Sequence, residues 1–380
     1  MSETDEKIRV FRGLKGVYFD RSPTTHIDGR KGELRYWGYS IHDLAAHSTF
    51  EETAYLLLHG DLPDTSQLAN FDAALKAARV LPAPILEIIR ATQAGHPMDV
   101  LRTAVSALAA FDSDTSDNSG AAILRKTIRL SSQIPMIVAA HHRIRQGLEP
   151  VTPSSELNHA AHFLYQLSGE TSSADAAKLM DLDLILHAEH GSNASSFSAR
   201  VVTGTDANLH AAMTAAIAAL SGPAHGGAAE DVMHMAREIG DPANAADYVK
   251  RKRANKEAIM GFGHRVYRAE DPRARHLRDG VERLSIEKGE PHWNEILKAL
   301  VEAMKPYSRL GVNVNVDFYS GVIYHLNGIP EDLFVPIFAI GRVPGWSLQV
   351  MQQQENNILI RPLLEYNGPD LRHYTDICDR

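Results

Sequence analysis

Cysteine is almost missing from this sequence: Cys378 is the single one in 380 residues. One thiol cannot close an internal disulfide, and a structural zinc site needs several ligands. The fold must be held by burial, which a chain of this length can supply without staples. Long apolar runs are also lacking. No stretch strings together the roughly 20 apolar residues that cross a bilayer, so no membrane partner is expected. Met1 to Arg12 is rich in charge and has no apolar run. It reads as neither a signal peptide nor an acid-poor transit peptide, and the expected location is the cytoplasm. An overall positive charge is absent too. The net charge of −8 argues against nucleic acid as a partner.

What is present is ordinary in bulk and uneven in detail. Hydrophobic residues make up 44% and charged residues 23%, as in soluble globular proteins. At roughly 150 residues per domain the length predicts two domains. Between Lys250 and Arg278, ten basic side chains face only Glu257, Glu270 and Asp271, a local excess of seven positive charges. Such an island in an acidic protein can draw in an anionic ligand. A solvated helix face is the plainer reading of the charge alone.

The first forty residues favour strands. Val17-Tyr18-Phe19 and Leu34-Arg35-Tyr36-Trp37 are β-prone runs separated by Asp28-Gly29 and Gly32, which predicts small strands or a hairpin. Helical signals dominate afterwards. Ser48-Thr49-Phe50-Glu51 reads as a capping box before Phe50, Ala54, Leu57 and Leu58, with Gly60 as the stop. Thr152-Pro153 predicts a helix start, with Leu157, Ala161, Leu164 and Leu167 running toward Gly169. Another helix is expected from about Ser173 to His187. The alanine-rich segment from Ala207 to Leu220 predicts a buried helix, within the monomer core or between subunits. Asp112 to Gly120 reads as an exposed loop. The expected fold class is all-α, with a small β element near the N-terminus.

Four segments concentrate polar groups among glycines: His187-Ala-Glu-His190-Gly-Ser-Asn193, Gly222-Pro-Ala-His225-Gly-Gly227, Gly261-Phe262-Gly263-His264-Arg265-Val-Tyr267 with Asp271-Pro-Arg273, and Asn315-Val-Asp317-Phe-Tyr-Ser-Gly321. Glycine beside a histidine permits close backbone approach to a ligand. With 19 histidines in the chain, any one of them is more easily incidental than functional, and the set carries more weight than its members. The pairs His187/His190 and His159/His162 could each share a helix face as metal ligands, but zinc needs a third and usually a fourth ligand. No metal is expected.

Taken in order and spacing, these segments resemble the citrate synthase family. Ala-Ile-Gly-Arg342-Val-Pro-Gly-Trp and Ile-Arg361-Pro match it too, as do Ile27-Asp28-Gly29, Phe50-Glu51-Glu52 and His96-Pro97-Met98. The resemblance spans nearly the whole chain and points to the short bacterial or archaeal forms, which include 2-methylcitrate synthases. It implies an all-α, two-domain fold. Residues 1–224 and 331–380 would form a large domain for dimerisation and the 2-oxo acid, and 225–330 a small domain for CoA. It implies an acyltransferase that joins acetyl-CoA, or propionyl-CoA, to oxaloacetate. The CoA thioester would be a substrate, and no cofactor is expected.

By the same resemblance Asp317 takes a proton from the acyl carbon, His225 stabilises the enol, and His264 polarises the ketone. His190, Arg273 and Arg342 bind the 2-oxo dicarboxylate. Arg361 reaches in from a neighbouring subunit of a homodimer or larger homo-oligomer. Gly261, Phe262, Gly263, Arg265, Arg309 and Asn315 contact CoA. The residue types suit the work. A weak carbon acid needs a base and a partner for the developing oxyanion together, and the planar fork of arginine binds carboxylate in a bidentate way. Surface ion pairing is the plain alternative for the arginines, Arg361 above all. One departure stands out: Ala229 occupies a position where the family often has asparagine. A non-catalytic CoA- or carboxylate-binding relative is the reading that this residue favours.

Overall fold

A computed structural model describes residues 9–380; residues 1–8, most of the charged N-terminal stretch, lie outside the described residues. The architecture is helical with one small antiparallel sheet of order β1-β2-β3, formed by Thr25–Asp28, Glu33–Tyr36 and Tyr39–Ser40. Thr25 lies opposite Tyr36 and Asp28 opposite Glu33. The turn between β1 and β2 is closed by Asp28, whose carboxylate accepts the Arg30 and Lys31 amides and whose carbonyl accepts that of Gly32. Gly32 supplies the positive φ of 69° that this turn needs. The expected strand at Val17-Tyr18-Phe19 does not form. Thr25–Asp28 takes the place beside Glu33–Tyr36, and Tyr18 is left 97% exposed. Strand preference without a neighbouring ladder does not make a strand.

Helix starts follow local chemistry, sometimes displaced from the expected residue. The Phe50–His59 helix is capped by Thr49, which accepts the Glu52 amide, and stops at left-handed Gly60. Ser48 turns to Thr53 instead, and Glu51 points inward to accept the His159 amide at 2.7 Å. The expected capping box is thus one residue out, because Glu51 is held by another helix. The segment after Thr152-Pro153 stays irregular. Arg79 takes the Ser154 and Leu157 carbonyls, and the helix begins at His159 with Asn158 as its cap. Ala174–His187, capped by Ser173, forms as the sequence indicates. Leu209–Leu220 is a helix with Ala212, Met213, Ala216, Ile217 and Leu220 buried, whereas Ala218 lies exposed. The Asp112 to Gly120 loop is largely exposed but pinned, since Asp112 and Asp114 pair with Arg129 and Arg125.

One helix corrects the expectation that nothing is long and apolar enough to cross a bilayer. Glu331–Glu355 reaches that length and composition with a mean hydropathy of 1.3, although 94% of the apolar window is buried. An average over the window tolerates Arg342 and the glycines that break an uninterrupted run. Here the segment is a core helix carrying the buried Trp346.

Two remote segments are stitched together below the site. Gly263 donates to the Asn313 carbonyl at 2.7 Å, Asn315 to that of Gly261 at 2.9 Å, and Asp271 to that of Val314 at 3.1 Å. Gly261 has a φ of 75°, and a Cβ there would lie 2.6 Å from the Phe318 ring. Only glycine fits at that point. The stitch leads directly into the Asp317–Leu326 helix.

Candidate active site

His264 sits in the 261–271 loop with its Nδ1 accepting two backbone N–H groups, from Val266 at 3.0 Å and Tyr267 at 3.1 Å. A nitrogen that accepts cannot carry the proton, so Nε2 is the N–H of the neutral ring. Burial, reinforced by the charge of Arg273, lowers its pKa to about 4. His264 is therefore a neutral hydrogen-bond donor with a fixed tautomer. Its ring lies 5.2 Å from that of His190 and 4.7 Å from that of Tyr267. The Tyr267 hydroxyl meets His190 Nε2 at 3.0 Å. Burial, then Arg273, holds His190 well below the usual imidazole range.

His225 occupies the turn between the Leu209–Leu220 and Ala228–Ile239 helices. Its Nε2 faces Ser195, 3.3 Å from the backbone N–H and 2.9 Å from the hydroxyl. The amide can only donate, so Nε2 is the acceptor and Nδ1 carries the proton. Trp346 donates to the Ser195 hydroxyl at 3.0 Å and holds it in place. Burial and then the Arg342 charge lower the His225 pKa to about 4. Both histidines are thus neutral donors, through opposite ring nitrogens.

Phe338 joins this wing of the site. The His187 ring lies 4.9 Å from it, the His225 ring 6.2 Å, and the Arg342 guanidinium stacks 4.6 Å above it. Arg342 is buried and spends its Nε on the His187 carbonyl; among the described residues its terminal nitrogens have no protein hydrogen-bond partner. Burial pulls its pKa down to about 10, so it stays charged at neutral pH. Arg273 is also buried but is held by Asp271 through Nε and Nη2, at 2.9 and 2.7 Å. Burial would lower its pKa; the Asp271 carboxylate more than offsets that and raises it.

Asp317 opens its helix. Among the described residues its carboxylate accepts no hydrogen bond. Burial raises its pKa, partly countered by His187 and Arg273. A carboxylate with raised basicity and no fixed partner is equipped to accept a proton.

The remaining expected residues separate into two groups. Asn315 donates to the Gly263 carbonyl at 3.0 Å, and its buried Oδ1 lacks a partner. Gly261, Phe262 and Gly263 line the same loop. Arg265 follows it and is exposed, Arg309 is exposed in the Lys305–Leu310 turn, and Arg361 is exposed in the extended C-terminal segment, with none of the three in these contacts. Ala229 is buried, and its carbonyl closely approaches Gly321 of the Asp317 helix. His187 and His190 gather no further metal ligands, and no group of three or more His, Cys, Asp or Glu is placed to hold an ion among the described residues.

Several residues were not singled out from the sequence. Glu189 is fully buried, with Oε1 accepting from Thr25, the Gly191 amide and Gln349 while Oε2 has no partner. Burial pushes its pKa up to about 7. Tyr36 on β2 donates to the Glu189 carbonyl at 2.9 Å. Ser195, Trp346 and Phe338 orient the histidines and Arg342. Trp346 closes the matched Arg342 motif, and Ser195 and Phe338 lie within a few residues of the His190 and Arg342 motifs; that proximity is their only signal in the sequence.

Neutral imidazole donors, a basic unpaired carboxylate and a buried guanidinium with free nitrogens are the equipment of an acyltransferase that makes a carbon–carbon bond. A family profile described as "Citrate synthase, C-terminal domain" matches residues 13–363. The citrate synthase of Deinococcus radiodurans is 43% identical over 373 residues, covering 98% of this chain and 99% of its own. A 2-methylcitrate synthase of Mycobacterium tuberculosis is 41% identical over 369 residues, 97% of this chain and 93% of its own. The solved ternary complex of carboxymethyl coenzyme A and oxaloacetate with citrate synthase from Thermoplasma acidophilum superimposes with a TM-score of 0.92 at 31% identity, covering 98% of this chain and 100% of that one. The chain belongs to the citrate synthase family.

Proposed function

We propose that the chain is a citrate synthase, joining the acetyl group of acetyl-CoA to oxaloacetate and releasing citrate and free CoA. The observation that carries this reading is the pair of neutral histidines with fixed, opposite tautomers, together with an unpaired Asp317 that feels the same buried Arg273 and Arg342 as they do. Asp317 takes a proton from the methyl carbon of the thioester, while His225 Nδ1–H donates to the thioester oxygen and stabilises the enol. His264 Nε2–H donates to the ketone oxygen of oxaloacetate. The enol carbon attacks the ketone carbon, and the alkoxide gains its proton from the His264 side. Water then cleaves the thioester to citrate and CoA thiol. Donors aimed where negative charge develops are the largest lever for such a step.

Arg342 binds a carboxylate of oxaloacetate with its free terminal nitrogens. Arg273, though paired with Asp271, offers its remaining Nη1, and His190 completes that subsite. CoA lies along Gly261 to Gly263, with Arg265, Arg309 and Asn315 nearby and the basic island drawing in its phosphates. The small domain of 225–330 closes on the large one to exclude water. We place the enzyme in the cytoplasm as a homodimer. The C-terminal segment supports the dimer: Leu363 and Leu364 are almost fully exposed on the single chain, and Arg361 lies exposed in the same stretch.

A second reading has a specific support, the 41% identical relative named 2-methylcitrate synthase. It would use propionyl-CoA, and one methyl group discriminates by only about 1–3 kcal/mol. Release of CoA thiol with oxaloacetate and each acyl-CoA tests both. A higher kcat/KM with acetyl-CoA supports citrate synthase, and a higher one with propionyl-CoA supports the alternative. No thiol release from folded protein with either overturns both.

A further inference from the structure

The turn that joins β1 to β2 is pressed against the loop that carries His264. The Gly29 carbonyl accepts the Arg268 amide at 2.7 Å. A Cβ added at Gly29 would lie 2.3 Å from the Val266 carbonyl oxygen and 2.9 Å from its carbon. Farther along the turn, a Cβ at Gly32 would lie 2.9 Å from the Glu270 carbonyl oxygen. Backbone therefore meets backbone at both ends of the turn, with no flexible side chain to give way.

The peptide unit that touches Gly29 is the one that fixes His264. The Val266 carbonyl and the Tyr267 N–H belong to the same planar group. That N–H donates to His264 Nδ1 at 3.1 Å, beside the Val266 N–H at 3.0 Å. Moving the Val266 carbonyl must move the Tyr267 N–H with it. The Tyr267 side chain in turn reaches His190 Nε2 at 3.0 Å. On its other side the hairpin meets the His190 loop, where the Ile27 side chain would lie 3.4 Å from a Cβ at Gly191.

We propose that the Asp28 to Gly32 turn is a positioning element for the reaction, with Gly29 as the residue that seats the 266–267 peptide and thereby sets the aim and tautomer of His264. Gly29 touches no substrate and acts through His264. The proposal rests on the reading of His264 as the group that polarises the ketone. It accounts for a glycine whose own backbone does not need one, because Gly29 is not among the positive-φ residues. Alanine at this position meets no positive-φ penalty and is excluded by Val266, whose carbonyl oxygen and carbon would lie 2.3 and 2.9 Å from its Cβ and whose Cγ1 would lie 3.1 Å away.

Gly29→Ala is the direct test. Displacing a reacting group by about 1 Å can cost on the order of 100-fold in rate. The expected kcat falls at least tenfold, while KM for oxaloacetate stays within about threefold. The readout specific to positioning is the infrared stretch of the oxaloacetate ketone bound to the enzyme. In the wild type it is displaced from its value in water, and in Gly29→Ala it moves back toward that value. Arg30→Ala, an exposed change in the same turn, leaves both unchanged. Should Gly29→Ala fail to fold, Asp28→Ala loosens the turn without adding volume, and the same shift is expected with a smaller loss of kcat. His264→Asn separates the two levels of inference. If it retains wild-type turnover, the role of His264 is wrong. If it is inactive while the folded turn variants keep both the wild-type rate and the wild-type stretch, the role of Gly29 is wrong.

Discussion

Asp183 accepts a 2.6 Å hydrogen bond from the hydroxyl of Ser320, three residues beyond Asp317 on the same helix. Its other oxygen accepts from Tyr324 at 2.5 Å and lies 3.4 Å from His187 Nδ1. Asp183 is fully buried, so one carboxylate ties the helix ending at His187 to the helix that opens with Asp317.

Asp183→Ala would strand the buried Tyr324 hydroxyl and leave Ser320 only the Val316 carbonyl at 3.2 Å, and is expected to cost about 3 kcal/mol or more, read as a lower denaturation midpoint. Asp183→Asn keeps the shape and removes the charge. That charge is one of the influences raising the Asp317 pKa. Its loss favours the Asp317 carboxylate, so the acid limb of the kcat profile should move to lower pH. A limb that stays put or moves upward would contradict the coupling.

Asp317→Ala should abolish condensation, with thiol release falling by at least about 100-fold. Calorimetric binding of oxaloacetate should persist within a few-fold. Near wild-type turnover would show that another group takes the proton.

Arg342→Lys keeps the charge and loses the fork. With Nε committed to the His187 carbonyl, the two terminal nitrogens are what a carboxylate can use. KM for oxaloacetate should rise at least tenfold, with a much smaller change in KM for the acyl-CoA. An equal rise in both would place Arg342 elsewhere in the mechanism.

These roles were unequally legible in the sequence. Ser173 before its helix, Gly60 after another, and the glycines flanking His225 and His264 carry local instructions, and the structure follows them. Thr49 in place of Ser48 and Asn158 in place of Thr152 as helix caps were not readable, because Glu51 and Arg79 are claimed by partners remote in sequence. The same limit hid much of the site. Glu189 and Asp183 have meaning only once Tyr36, Gln349, Ser320 and Tyr324 have been brought to them, and no spacing rule announces those meetings.

Asp181 offers a test of stability rather than rate. It is buried against the Phe50 amide, and burial, then the charge of Glu51, pushes its pKa up to about 7 from the ordinary 3.8. The folded chain thus holds a proton that the unfolded chain has lost. Stability from this site is full below about pH 4 and is lost as pH rises through about 7. Asp181→Asn should change nothing near pH 4 and stabilise increasingly up to pH 7, by no more than about 4 kcal/mol. A gain independent of pH would mean that the carboxyl is not protonated in the folded state.

Arg361→Ala should lose activity as a homo-oligomer. It should regain part of it when mixed with a variant inactive at Asp317, because one site in such a hybrid holds both intact residues. No recovery under any pairing would remove the assignment across subunits.

The Gly29 carbonyl and the Arg268 amide are separated by 239 positions in the chain. A ribosome adding about 5–20 residues per second makes the turn roughly 10–50 s before the 266–270 loop on which it rests. During that interval the turn has nothing to rest against, and closing so long a loop is a late, slow event. Secondary structure should therefore return well before turnover when the denatured enzyme is refolded, and the N-terminal hairpin should be among the last places where amide hydrogens become protected.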